Sequence, residues 1–277
     1  QMFPDEYTAF KTYCQLYPEN AILLVDTYNV LKSGVPNAIR AFKEVLEPMG
    51  ITKCGIRLDS GDLTYLSRKA REMLDEAGLT SCKIFASNAL DEYIIRDLVR
   101  QGARIDSFGV GERLITSRSE PVFGGVYKLV AIEDESGNII PKIKISENAA
   151  KITTPHFKKI YRIFSKDTGK AEADLICLHN EEFDFTQPLE LFDPDATWKR
   201  KTYTDYEARE LMVPIFLNGE FVYQVPDLQA SRSYCQRQVD SLWDEVKRFE
   251  NPHNYYVDLS QKLWDIKQNL LNSHDMH

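Results

Sequence analysis

Short apolar runs alternate with longer amphipathic stretches along the first part of the chain, and a polar cluster sits at nearly every change from one to the other. "AILLVDT" (21–27) leads into Val35, Ala38, Ile39, Phe42, Val45 and Leu46 at three- and four-residue spacing, stopped by Pro48 and Gly50. That spacing predicts a helix with one apolar face. "KCGIRLD" feeds a second helix carrying Leu63, Leu66, Met73, Leu74 and Ala77, with Gly78 as its stop. "SCKIFASN" feeds a third with Leu90, Ile94, Ile95, Leu98 and Val99, ended by Gly102, and "ARIDSFGVG" opens a fourth unit. Near-continuous apolar strands alternating with helices predict a parallel sheet covered by helices, as part of a β/α barrel or a doubly wound sheet. In either arrangement ligands sit beyond the C-terminal strand ends. The polar clusters fall there: Asp26 and Thr27, Arg57 and Asp59, Ser87 and Asn88, then Asp106, Ser107 and the Gly109/Gly111 pair.

After "FGG" (123–125) the pattern changes. "VYKLVAIEDESGNIIPKIKIS" alternates about a Ser-Gly-Asn turn and reads as a hairpin, and "KKIYRIFSKDTGKAEADLICLHN" repeats the theme about Thr-Gly. From Asp227 the period becomes helical, with Val239, Leu242, Trp243 and Val246 on one face. "ENPHNYYVDLS" then interrupts it before a last helix carrying Leu259, Leu263, Trp264 and Ile266. The expected organisation is α/β, with a barrel-type portion at 1–125, a β-rich domain at 126–225 and a C-terminal helical segment at 226–277.

The composition narrows the functional classes. With 277 residues and 43 % hydrophobic content the chain can build a sizeable core. Its net charge of −8, with no dense Lys/Arg run, argues against nucleic acid as a partner. Cys14, Cys54, Cys82, Cys177 and Cys235 never take CxxC spacing and several lie in apolar runs, which suits reduced thiols in a cytoplasmic protein. No apolar run approaches the ~20 residues of a membrane span. Gln1 is not an initiator methionine, and "PDEYTAFKTYCQLYP" begins as a helix with Pro4 near its first turn. The opening reads as the later part of a longer protein.

Each candidate residue has a plain structural reading beside the chemical one. Asp59 suits a helix N-cap with Asp62 at the third helical position. That does not explain Arg57, whose two-residue offset places it on the same strand face as Asp59. A guanidinium on a buried face wants a planar anionic partner, either a carboxylate or a phosphate. Gly109 and Gly111 let backbone N–H groups approach an anion, or simply make a turn; a P-loop lysine and the third glycine of a dinucleotide fingerprint are absent. Asp26 is either a turn cap or an acid facing a ligand. The histidines, 156, 179, 253, 274 and 277, show no metal-ligand spacing, and no Ser–His–Asp or Cys–His arrangement can be argued.

"LLVDTYNVLKSGVPNAI", "GIRLDSGDL", "IFASNALDEYII" and "IDSFGVGERLITS", in this order and spacing, resemble the nicotinate phosphoribosyltransferases, and "SLWDEVKRFENPHNYYVDLS" resembles the C-terminal part of the bacterial branch. The resemblance covers nearly the whole chain. It implies a type II phosphoribosyltransferase fold, an irregular β/α barrel with a second domain. It also implies transfer of a phosphoribosyl group from phosphoribosyl pyrophosphate to nicotinate, giving nicotinate mononucleotide and pyrophosphate in NAD salvage. ATP hydrolysis would drive the step and Mg²⁺ would neutralise pyrophosphate. By motif, Arg57 would lie near the pyridine ring, Asp59 would accept hydrogen bonds from ribose hydroxyls, and Ser87 and Asn88 would contact the ribose. The backbone of Gly109, Gly111 and Glu112 would cradle the 5′-phosphate, and Asp26 would orient the histidine that ATP phosphorylates.

Two departures qualify the resemblance. The family's phosphorylated histidine belongs to a segment preceding Gln1, and no histidine here matches it. Glu112 stands where many relatives carry a small residue, and its carboxylate facing a phosphate would be repulsive unless it turned away. The family is commonly dimeric, so a homodimer including the N-terminal part of the protein is expected, with little coupled activity from these residues alone. Other readings are a nicotinamide or quinolinate phosphoribosyltransferase, or a non-catalytic fragment acting as a binding or assembly module. A β/α-barrel aldolase lacks its Schiff-base lysine at the strand tips.

Overall fold

The computed structural model describes residues 2–122, 124–148 and 151–274, the last without its side chain. Gln1, Phe123 of the "FGG" boundary and His277 lie outside the described residues. The chain divides into two compact units, Gln1–Gly125 and Val126–His277.

The first unit opens with α1 (Glu6–Leu16), capped by Asp5, whose side chain accepts from the Thr8 N–H at 2.7 Å. Strands β1 (Ile22–Leu24), β2 (Gly55–Leu58), β3 (Lys83–Ala86) and β4 (Ser107–Phe108) then form one parallel sheet in chain order. Between β1 and β2 the backbone is helical from Val30 to Met49, with α2 (Val35–Ala41) flanked by π-helical turns. Pro48 does not stop this helix; it lies in a closing 3-10 turn, and Gly50 ends the run with φ of +72°. Helices α3 (Leu63–Glu76) and α4 (Glu92–Arg100) follow β2 and β3, each capped by an aspartate: Asp62 accepts from Tyr65 N–H at 3.0 Å and Asp91 from Ile94 N–H at 2.9 Å. The fourth repeat holds only a short α5 (Glu112–Ile115).

Helices cover one face of this sheet. Leu23, Ile56 and Ile84 lie side by side in register, fully or almost fully buried, and each such side chain contributes about 2–3 kcal/mol of transfer free energy. The opposite face is open, with Ile22 and Leu24 41 % and 36 % exposed. The near-continuous apolar runs predicted burial on both faces, and within these residues only one face is covered. Mixed α/β architecture is therefore established, and closure into a barrel is not.

The second unit is mostly sheet. A small hairpin pairs β5 (Ala131–Glu133) with β6 (Ile139–Pro141). The main sheet pairs β7 (Lys158–Ser165) with β8 (Ala171–Leu178) about Gly169, whose φ is +64°. β9 (Leu189–Phe192) and β10 (Arg200–Tyr203) form a ribbon, and β11 (Tyr206–Glu210) adds to the other side of β7. β12 (Phe216–Leu217) and β13 (Glu220–Phe221) make an exposed hairpin before α6 (Leu228–Asp240), which Asp227 caps. The interruption "ENPHNYYVDLS" contains β14 (Tyr256–Leu259), which runs parallel to β8, so Leu259 belongs to a strand and α7 spans Gln261–His274. Leu242, Trp243 and Val246 lie beyond the end of α6, not on it. Leu178, Leu259 and Leu263 close a small core between that strand and α7.

Candidate functional site at the ends of the parallel strands

The register of the parallel sheet aligns Leu24, Arg57, Phe85 and Ser107 in one row across the open face. Because side chains alternate along a strand, the row two residues further on, Asp26, Asp59, Ser87 and Gly109, faces the same side. These four residues are also joined to one another. Asp26 Oδ2 accepts from the Asp59 N–H at 2.8 Å and from the Ser60 hydroxyl at 2.7 Å, and the Ser87 hydroxyl donates to Asp59 Oδ1. A Cβ placed on Gly109 would stand 3.4 Å from Ser87 Cβ, so the fourth tip touches the third. Ser60 is the member of this group that sequence reasoning missed.

Asp59 is not the helix cap. Asp62 takes that role, which leaves the Asp59 carboxylate to Ser87 and to whatever lies above the tips. Arg57 lies on the expected face but is exposed, and its guanidinium makes no hydrogen bond or ion pair among the described residues. The expectation of a buried guanidinium failed because nothing within these residues covers that face. Asn88 and Ala89 both take positive φ, +88° and +43°, directly after Ser87. Two consecutive non-glycine residues in that region are costly, and such strain concentrates where a loop is held for function.

At the fourth tip, the Gly109 N–H donates to the Ala86 carbonyl at 2.7 Å and so continues the ladder. Of the three backbone groups assigned to a phosphate, that one is already bonded. The Gly111 N–H makes no hydrogen bond among the described residues, and Glu112, exposed at the first position of α5, has an N–H outside the helical ladder. Arg113, from α5, donates to the Asp91 carboxylate at the start of α4, tying the two loops together. The Ile94 N–H and then the Arg113 guanidinium hold the Asp91 carboxyl below its ordinary range. Asp106 is not a tip residue. It precedes β4 and reaches the opposite end of β3, accepting from Lys83 Nζ at 2.8 Å and the Ile84 N–H at 2.9 Å.

Neither unit contains a group of three or more His, Cys, Asp or Glu side chains placed to hold a metal among the described residues. All five histidines belong to the second unit. No helix among the described residues is long and apolar enough to cross a membrane.

Comparison with known proteins bears on both units. Residues 157–267 match the family model of the nicotinate phosphoribosyltransferase C-terminal domain. Nicotinate phosphoribosyltransferase of Bacillus subtilis (strain 168) is 47 % identical over 267 residues, covering 96 % of this chain and 54 % of the relative. The Homo sapiens protein of the same name is 31 % identical over 278 residues, covering 98 % of this chain and 49 % of the relative. The crystal structure of human nicotinic acid phosphoribosyltransferase aligns over 96 % of this chain and 50 % of its own length, with a TM-score of 0.66 and 26 % identity. A nicotinate-nucleotide pyrophosphorylase from Pyrococcus furiosus, at 24 % identity and a TM-score of 0.57, shares the fold. The chain is related across both units to the nicotinate phosphoribosyltransferases, and it spans about half the length of the curated relatives it matches.

Proposed function

We propose that this chain carries the ribose- and ring-binding strand tips of a nicotinate phosphoribosyltransferase, which moves phosphoribose from phosphoribosyl pyrophosphate to nicotinate in NAD biosynthesis. The hydrogen-bonded row Asp26–Asp59–Ser87 at the C-terminal ends of three successive parallel strands is the observation that carries this reading. As pyrophosphate leaves, the anomeric carbon gains oxocarbenium character, and a fixed carboxylate beside the sugar opposes that positive charge. Ser87 occupies one oxygen of Asp59, leaving the other to accept from ribose hydroxyls. Asp26 acts through Asp59: by holding the Asp59 N–H and the Ser60 hydroxyl it sets where the carboxylate stands, which is orientation rather than chemistry. Arg57, two residues earlier on the same face, offers a cation to the carboxylate that distinguishes nicotinate from nicotinamide. Asn88 would touch the ribose from its strained turn. Gly111 and Glu112 offer backbone N–H groups to the 5′-phosphate, with Gly109 supplying the close approach.

The strand order supports the barrel reading. A doubly wound sheet reverses order at its switch point, whereas β1 to β4 run consecutively, each joined to the next through helical chain. The open face with Arg57 would then be the barrel's inner side, closed by chain beyond these residues. Mg²⁺ fits this site as an ion brought by the substrate, held by pyrophosphate oxygens and water, because the tips present two carboxylates and no metal cage. ATP coupling does not fit these residues by themselves, since the tips hold no histidine to phosphorylate. Cytoplasmic location and a homodimer that includes the remaining half of the protein belong to the same reading.

The test is nicotinate mononucleotide formation by the native protein from nicotinate, phosphoribosyl pyrophosphate, Mg²⁺ and ATP, beside an Asp59→Asn variant. The rate should fall by about 10²-fold or more in a variant that melts normally. A normal rate in that folded variant would overturn the assignment. Turnover of nicotinamide in preference to nicotinate would move the protein to another branch of the same chemistry.

A further inference from the structure

Three acids of the second unit are buried, Asp174, Glu181 and Asp258. Two are satisfied. Asp174 receives Nε and Nη2 of Arg162 at 2.8 and 2.9 Å and the Tyr255 hydroxyl at 3.1 Å. Glu181 Oε2 accepts from the Ser260 hydroxyl at 2.7 Å and the Leu178 N–H at 3.2 Å. Asp258 is 7 % exposed and has neither hydrogen bond nor ion pair among the described residues. A buried carboxylate without a partner is strongly unfavourable, and a ligand that donates to it would relieve that.

Such a ligand has room. Asp258 stands in the wall shared by two adjoining hollows of about 800 and 480 Å³, within the range of small-molecule sites. Both are also lined by Asp193, Lys199, His253 and Tyr256. The rings form a cluster, with His253 5.8 Å from Tyr256 and 6.3 Å from Trp243 between centroids. His253 is held by its own backbone, its N–H donating to the Glu245 carbonyl at 3.0 Å. The cations divide into two kinds. Arg200 and Lys201 are engaged at 2.6 Å by Glu190 and Glu172, whereas Lys199 and Arg248 make longer ion pairs, at 3.9 Å, with Asp193 and Glu245. Lys199 and Arg248 are therefore held only by these longer ion pairs and can exchange them for an anion.

We propose that this cleft binds a guanine-type purine nucleotide, with the base N–H pair on Asp258, the ring against Tyr256 and His253, and the phosphate on Lys199 and Arg248. The carboxylate decides the base. It only accepts, and the guanine edge presents two adjacent donors, where adenine presents a donor beside an acceptor. The site uses the second unit alone and does not rest on the phosphoribosyl-transfer reading.

Calorimetric titration of the whole protein with GMP, with AMP and guanosine as comparators, tests this. GMP should bind at least tenfold more tightly than AMP. Asp258→Asn should narrow or reverse that preference, because an amide presents both a donor and an acceptor. Lys199→Ala, at an exposed position, should remove most of the advantage of GMP over guanosine. Lack of saturable GMP binding at millimolar concentration, equal affinity for GMP and AMP, or a preference unchanged in a folded Asp258→Asn protein would each overturn it.

Discussion

Asp26 Oδ2 accepts the backbone N–H of Asp59 at 2.8 Å, across 33 residues of sequence, and the same oxygen takes the Ser60 hydroxyl at 2.7 Å. One carboxylate thus fixes the turn that leaves β2. Asp26→Ala would leave an N–H and a hydroxyl without their acceptor, but at a half-exposed position where water can replace it. The stability loss should be about 1 kcal/mol in urea titration. Nicotinate mononucleotide formation should fall much more, by about 10-fold or more, because the Asp59 carboxylate loses its orientation. Equal losses of rate and stability would show that Asp26 is only a structural brace.

Gly34 presents a conflict between helix propensity and packing. Replacing glycine by alanine in a helix normally stabilises by up to about 1 kcal/mol. Here an added Cβ would stand 1.8 Å from the Val25 carbonyl oxygen, which is backbone of the strand leading to Asp26. Gly34→Ala should therefore destabilise, by about 2–3 kcal/mol or more, because the backbone itself must move. Its melting temperature should fall while that of Gly78→Ala, where nothing lies within 4 Å but φ is +83°, falls less.

In the second unit, Arg162 and Asp174 face each other across β7 and β8 with two hydrogen bonds. Both side chains are largely buried, 20 % and 12 % exposed, so removing one partner strands the other. Arg162→Leu should lower stability by about 3 kcal/mol, whereas Arg162→Leu with Asp174→Leu should recover most of the loss. The urea midpoints of the single and double variants measure the difference.

The strand tips were legible in the sequence because each parallel strand is a short apolar run and each tip follows it at once. Register supplied the alignment, since two residues beyond Leu24 and Arg57 are Asp26 and Asp59. The link between those two aspartates was not legible, because nothing in a local pattern pairs a side chain with a backbone group 33 residues away. Asp106 was misplaced for a related reason: β4 is only two residues long, so its acid looked like an end and is a beginning. The strand at Tyr256–Leu259 hid behind an irregular burial order, with two exposed residues followed by two buried ones, which neither a strand nor a helix period fits. The open face that exposes Arg57 could not be foreseen from apolar runs, which carry no record of which neighbours cover them.

Asp258 makes the last prediction, and it concerns pH. Burial and then the Asp193 carboxylate push its carboxyl from 3.8 up to about 6. Below pH 3.8 the group is protonated in both folded and unfolded chains and is neutral to folding. Between there and about pH 6 the folded chain retains a proton that the unfolded chain has released, so stability declines as pH rises. Above about pH 6 the whole penalty is in place, corresponding to about 3 kcal/mol. Asp258→Asn, which keeps the shape and drops the charge, should be more stable than the parent at pH 7.5 by up to that amount and equal to it near pH 4. Asp193, Lys199 and His253 line the same cleft but are common to both proteins, so the difference between the two stability curves isolates Asp258. A gain that persisted unchanged to pH 4 would mean that the substitution acts through packing instead of charge.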